Sequence, residues 1–322
     1  MANFLVGFIA GLVILFIATA IKKQKPKKKT KLVQENIPND LGCHMEEAIP
    51  VAAKLEEALH SEYMENVKRR VLQKHADWSE IDYEWRLFEL KRYFLLARIL
   101  KSVPMFSDEV DEIWHEMIMF TKEYESFSKK FFGSFLHHSP NMERVPVPDE
   151  RALFDWMYIR LFEIYPNSTK LWGSFFQNPL SRTLLNEVRV STNDQIQEKY
   201  FRSFDLAKPL QLKLIEWLQN DIKKAEEMKQ QNKPFSKAAQ NDDFMYLLPA
   251  MVYFSMYDAE HFDTEMSKLL HKDSITGGAS SVYACGAAYT DSNDHSGHSG
   301  CSSSGCSGSS CGSSCGGGCG SS

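Results

Sequence analysis

The segment DEIWHEMIMFTKEYESFSKKFFGSFLHHSP, from Asp111 to Pro140, gathers three histidines beside a carboxylate, the side-chain types that hold a zinc or iron ion. On a helix, Asp108, Asp111 and His115 recur at intervals of three and four, so two carboxylates and an imidazole share one face, with Trp114 on a neighbouring strip. Gly133 is a helix stop, and SFLHHSP behind it carries His137 and His138 back along the chain. A return across the same helix brings one of them to His115. His115, His137, His138 and Asp111 are therefore candidate metal ligands, with an adjacent acid as outer partner or general base. The same residues also suit packing: an Asp–His pair locks a helix to a loop, His137 caps a carbonyl, and Trp114, Phe120, Tyr124, Phe127, Phe131, Phe132 and Phe135 read as core. With ring separations unknown, the structural role is the leading reading and the metal site the alternative.

A second set of soft ligands lies at the C-terminus. Every residue from Cys301 to Ser322 is Cys, Ser or Gly, a composition that buries too little apolar surface to offset its ordering entropy, so the tail is expected to be disordered. Cys301, Cys306, Cys311, Cys315 and Cys319 follow C-x4-C-x4-C-x3-C-x3-C, with His295 and His298 nearby. Their thiolates suit zinc or copper(I), although the even intervals match the paired C-x2-4-C of structural zinc sites poorly. GSSCG at Gly308 to Gly312 satisfies G-x-S-x-G by composition alone, since it lacks the strand and helix that the motif needs. No P-loop, G-x-G-x-x-G or H-E-x-x-H occurs, and Cys43 reads as a single free buried thiol.

The elements that must position these groups are helical. EWRLFELKRYFLLARILKSV places Trp85, Phe88, Tyr93, Leu96 and Leu100 near three-to-four-residue spacing with charges between, the pattern of an amphipathic helix that Pro104 should end. SDEVDEIWHEMIMFTKEYESFSKKFF reads as one helix, capped by Ser107, with three acids in its first turn and Gly133 as its stop. Further helices are expected around Met45 to Lys74, Asp149 to Tyr165, Asp194 to Ala207, Pro209 to Gln230 and Asp242 to Leu270. No run alternates cleanly enough to argue a sheet, which makes the fold all-α.

NFLVGFIAGLVILFIATAI has no charged side chain and is long enough to cross a bilayer core, and the charges follow it in KKQKPKKKTK rather than preceding it as in a secretory signal. The expected organisation is thus a single transmembrane helix over 1–21, a basic juxtamembrane linker over 22–42, a helical domain over 43–275 and a disordered Gly/Ser/Cys tail over 276–322. Lysines beside a span stay cytoplasmic, so the N-terminus is expected outside and the domain in the cytoplasm. Residues 4–21 and the Lys22 to Lys31 cluster would meet membrane lipid, including anionic headgroups. Removing the seven lysines of that cluster from the net charge of −5 leaves about −12 on the remainder, which argues against nucleic acid.

The string D-x-x-W-H-x-x-I, T-x-x-Y-x-x-F, F-G-x-F-x-H-H-x-P is carried by Asp111, Trp114, His115, Ile118, Thr121, Tyr124, Phe127, Phe132, Gly133, Phe135, His137, His138 and Pro140. It resembles the uncharacterised domain of the glycine-rich domain-containing proteins of plants and bacteria. The likeness continues more weakly through Leu161, Tyr165 and Trp172, and the Gly/Cys-rich tail fits it too. It implies a helical domain without a settled activity. Met117 stands where the resemblance implies a second histidine and Ser128 where it implies a cysteine, departures that weaken a metal site here. Anchor, basic linker, compact domain and flexible tail together suggest a membrane-anchored cytoplasmic interaction or scaffold protein with a protein partner. The alternative is a metal-dependent enzyme or metal-handling protein built on the histidine motif or the cysteine tail.

Overall fold

A computed structural model describes residues 30–139, 146–232, 244–270 and 286–288. Five helices come first: α1 (Ile49–Ala58), α2 (Ser61–Lys74), α3 (Glu80–Ile99), α4 (Asp108–Ile118) and α5 (Thr121–Phe132). A short strand β1 (His137–Ser139) separates them from α6 (Pro148–Leu161), α7 (Pro166–Trp172), α8 (Arg182–Val190), α9 (Asn193–Tyr200) and α10 (Lys208–Gln231). Helices α11 (Leu248–Tyr257) and α12 (Phe262–Leu269) follow, and β2 (Gly286–Ala288) pairs antiparallel with β1. The all-α expectation therefore holds apart from this three-residue pair, and the described residues lie in one compact unit spanning Met1–Tyr289. Residues 286–288 fall in the stretch expected to be structureless; the remainder of that tail, with Cys301, Cys306, Cys311, Cys315 and Cys319, lies outside the described residues.

The membrane-anchored, single-pass organisation is corrected. Among the described residues no helix is long and apolar enough to cross a membrane. The long helices fail on composition: α3 carries Glu80, Asp82, Glu84, Arg86, Glu89, Lys91, Arg92 and Arg98, and α10 is interrupted by charge throughout. The apolar run at 3–21, on which the span and the outside-to-cytoplasm topology rested, lies outside the described residues.

Helix α3 is the axis of the first half. Its start follows from a capping box in which Asp82 N–H donates to Ser79 Oγ at 3.2 Å and Ser79 N–H donates to the Asp82 carboxylate at 3.0 Å. The amphipathic pattern holds in its first half, where Glu80, Glu84, Leu87 and Lys91 line an open stripe, whereas the expected run to Pro104 is corrected. From Arg92 to Ile99 the helix is buried on every side, and it packs against α1, α2, α4 and α7. It stops at Ile99 because Leu100 turns extended to bridge Phe201, with Lys101 N–H donating to Tyr200 O at 2.9 Å.

Glu89 and Arg92, the innermost of its charges, find their partners inside the protein. The Glu89 carboxylate accepts from Trp172 Nε1–H and Ser168 Oγ–H, both at 2.7 Å, and from the Tyr158 hydroxyl. One turn on, Arg92 donates to Leu41 O at 2.8 Å, Tyr158 Oη at 2.8 Å and Glu163 O at 3.0 Å, inside a cage formed by the rings of Phe88, Tyr158, Phe162 and Tyr165.

Gly42 closes that cage. Its φ is +58°, and a Cβ there would lie 2.6 Å from Arg92 Nη2 and 3.2 Å from the Tyr165 hydroxyl. Gly42→Ala is expected to destabilise the protein by about 1–3 kcal/mol, through left-handed strain and a clash with a guanidinium that has no room to retreat. A chemical-denaturation midpoint unchanged from wild type would contradict this.

Candidate metal centre

Helix α4 begins where local chemistry dictates. Ser107 Oγ accepts from Val110 N–H at 3.3 Å, and Asp108, Glu109 and Asp111 occupy the first turn, where the helix dipole favours negative charge. The single helix expected from Ser107 to Phe132 is two helices, broken at Met119 and Phe120. The break lets α4 pack on α2 and α3 while α5 turns to pack on α1. Phe120, in a non-helical conformation, fills the corner edge-on to Tyr63 at a centroid distance of 6.0 Å. Helix α5 then ends at Gly133, whose φ of +80° is the left-handed stop.

Beyond Gly133 the chain returns to α4 as strand β1. Side chains alternate along a strand, so His137 and His138 point to opposite sides. His138 faces α4, its Nε2 2.7 Å from Asp111 Oδ1 and its ring edge-on to Trp114 at 4.5 Å. His115, one turn beyond Asp111 on α4, places Nε2 3.4 Å from Asp111 Oδ2, and its ring lies 4.7 Å from that of His138. His137 is exposed and packs on Phe135 at 4.8 Å, outside the cluster. The structure thus assembles Asp111, His115 and His138 and leaves out His137 and Asp108.

The ligand atoms of those three side chains lie within 4.8 Å of one another. Bonds of about 2.0–2.2 Å to one tetrahedral zinc put neighbouring ligand atoms about 3.3 Å apart, so small side-chain adjustments let all three converge on one ion. Asp111 and His138 are buried at the base, whereas the His115 side chain is 46% exposed. Three protein ligands with one at the surface leave the remaining coordination positions to solvent or a guest.

Two residues read from sequence only as core hold the base in place. Trp114 Nε1–H donates to the Tyr124 hydroxyl at 2.9 Å, and that hydroxyl donates to Leu136 O at 2.7 Å, tying α4 and α5 to the residues just before His138. Burial pushes the Tyr124 hydroxyl well above its usual range, against the opposing pull of Trp114 and Ser128, so it remains a donor at neutral pH. The other acids of α4 are engaged elsewhere. Glu112 accepts from Lys74 at 2.8 Å, and Glu116 accepts from Arg70 at 2.9 Å and Lys74 at 3.0 Å. Burial pushes the Glu116 carboxyl up, but N–H donation from Lys74 and Arg70 outweighs it and holds the group below its ordinary value.

Cys43 is a free thiol, as expected, and not a reactive one. Burial pushes it up to about 12 despite the Arg92 charge, so it stays protonated at neutral pH. Met117 and Ser128, where the family resemblance implies histidine and cysteine, are both fully buried in the helical core.

Residues 53–150 match the model of an uncharacterised family described as UCP032817-like, under a third of the chain. That stretch runs from α1 to the start of α6 and includes Asp111, His115 and His138. No curated protein and no solved structure matches the chain.

Proposed function

We propose that this protein is a metal-handling or metal-dependent protein that binds one divalent ion of the zinc or iron(II) class through Asp111, His115 and His138. The observation that carries the reading is the convergence of two imidazole Nε2 atoms on the two oxygens of one carboxylate. Two histidines and a carboxylate with open positions are the donor set of exchangeable or catalytic sites rather than of closed structural ones. The three ligands and the two aromatic residues that brace them all fall within residues 53–150, the stretch that matches the uncharacterised family. A scaffold role has less support: among the described residues the exposed large apolar side chains Ile49, Met119, Val190, Leu206, Tyr246 and Tyr257 are scattered along the chain, no two on one helix.

Cobalt(II) titration of the full chain, with the six cysteines of residues 276–322 changed to serine, tests the site. One equivalent should bind with ligand-field absorption of nitrogen and oxygen donors and without a thiolate charge-transfer band. His115→Ala should weaken binding by at least about a hundredfold, while its half-exposed position keeps stability within about 0.5 kcal/mol of the parent. No saturable binding, or undiminished binding by the His115→Ala protein, would refute the proposal. Because imidazole ligates only when neutral, affinity should also fall in acid.

A further inference from the structure

The second half of the fold encloses an apolar cavity of about 220 Å³ between α6, α8, α9 and α10. Met157, Leu184, Val188, Ile196, Leu214 and Leu218 form its buried interior, with no charged group among them. All the polar side chains of its wall that carry charge, Lys101, Glu150 and Lys199, stand at the exposed mouth. A cavity lined by Leu, Ile, Val and Met stays dry and takes apolar guests. A methylene fills roughly the liquid volume of a water, about 30 Å³, so the space accommodates a chain of roughly six to eight carbons.

The mouth supplies the head-group chemistry. Lys199 is engaged, with Nζ 2.7 Å from both oxygens of Glu187. Lys101 differs. Its backbone is held on both sides, the amide donating to Tyr200 O at 2.9 Å and the carbonyl accepting from Arg202 Nη2 at 3.0 Å, yet among the described residues its ammonium makes no hydrogen bond or ion pair. A fixed backbone with an uncommitted cation beside an apolar chamber favours an anion whose tail enters the chamber. Lys199 and Glu187 cancel, and Glu150 sits in the first turn of α6, whose dipole offsets its charge, so Lys101 is the uncompensated charge of the rim, which disfavours an amine.

We propose that this cavity binds a medium-chain aliphatic carboxylate, with the chain in the interior and the carboxylate at the mouth against Lys101. The site is independent of the histidine cluster and stands or falls separately.

Calorimetric titration of the full chain with octanoate, 1-octanol and octylamine is the test. Octanoate should bind saturably at one site and raise the melting temperature, with octanol weaker and octylamine weakest. Lys101→Glu, at an exposed position, should weaken octanoate by at least about tenfold and leave octanol unchanged. Val188→Trp should abolish both by filling the chamber, and circular dichroism and melting of the ligand-free variant report whether it folds; if it does not, the Lys101→Glu comparison decides. No saturable octanoate binding at millimolar concentration, preference for octylamine, or octanoate binding indifferent to Lys101→Glu would overturn the assignment.

Discussion

Replacing Glu89 by alanine should lower the unfolding free energy by about 3–5 kcal/mol, a large share of a typical domain's stability. Three donors converge on this one buried carboxylate: Trp172 Nε1–H, Ser168 Oγ–H and the Tyr158 hydroxyl. Truncation strands all three in the buried interior and opens a cavity on the central helix, and each loss is separately costly. The Tyr158 and Ser168 hydroxyls can rotate toward other acceptors, whereas the Trp172 indole N–H has one direction only. Glu89→Gln keeps a carbonyl oxygen for Trp172 and Tyr158 and should therefore cost distinctly less than Glu89→Ala. Equal losses for the two variants in urea unfolding would mean that volume, not the missing acceptor, sets the effect. A loss under about 1 kcal/mol for alanine would refute the network account altogether.

The same network explains why Glu89 and Arg92 do not mark a solvent face. Charged residues between apolar ones ordinarily mark a solvent face, and Glu89 and Arg92 satisfy that pattern. Their partners, Leu41, Tyr158, Glu163, Ser168 and Trp172, lie far along the chain in either direction, so no local spacing reveals that the charges are internal. Features with local causes were legible. Ser107 as a cap, Gly133 as a stop and the pairing of Asp111 with His115 each rest on residues within one or two turns.

The choice between His137 and His138 was not legible. It depends on which side of β1 faces α4, and β1 is extended in register with Gly286–Ala288, a segment that sequence reasoning assigned to a structureless tail. The break at Met119 and Phe120 was hidden for a related reason. Nothing in MIMFT breaks a helix, and the interruption exists because α4 and α5 bury their apolar faces against different neighbours. The apolar cavity draws its wall from several non-adjacent elements and has no sequence signature at all. The hydropathy of the first residues, by contrast, read plainly as a membrane span, yet among the described residues no helix meets that description.

Asp155→Ala should cost about 3–5 kcal/mol at pH 7.5, because it leaves the Arg151 guanidinium without its counter-charge in the core. Arg151 Nε–H donates to Asp155 Oδ1 at 2.7 Å, and both side chains are fully buried. Burial pushes the Asp155 carboxyl up to about 6, against the pull of Arg151 and the Phe176 amide, so at pH 7.5 the group is ionised and the pair is charged. Its second oxygen accepts from Phe176 N–H at 3.0 Å, and Phe176 holds a φ of +60°, a left-handed conformation that costs a bulky residue about 1–3 kcal/mol unless its surroundings enforce it. Loss of the carboxylate therefore releases a strained turn as well as orphaning a cation. The two effects separate in a double variant: Arg151→Met with Asp155→Leu removes both charges and should recover much of the stability, while the turn at Phe176 stays loosened. Hydrogen exchange at the Phe176 amide should then be faster than in the wild type, even though the global unfolding free energy is largely restored. Full protection of that amide in the double variant would show that packing against Phe244, 5.9 Å away and stacked, holds the turn without Asp155.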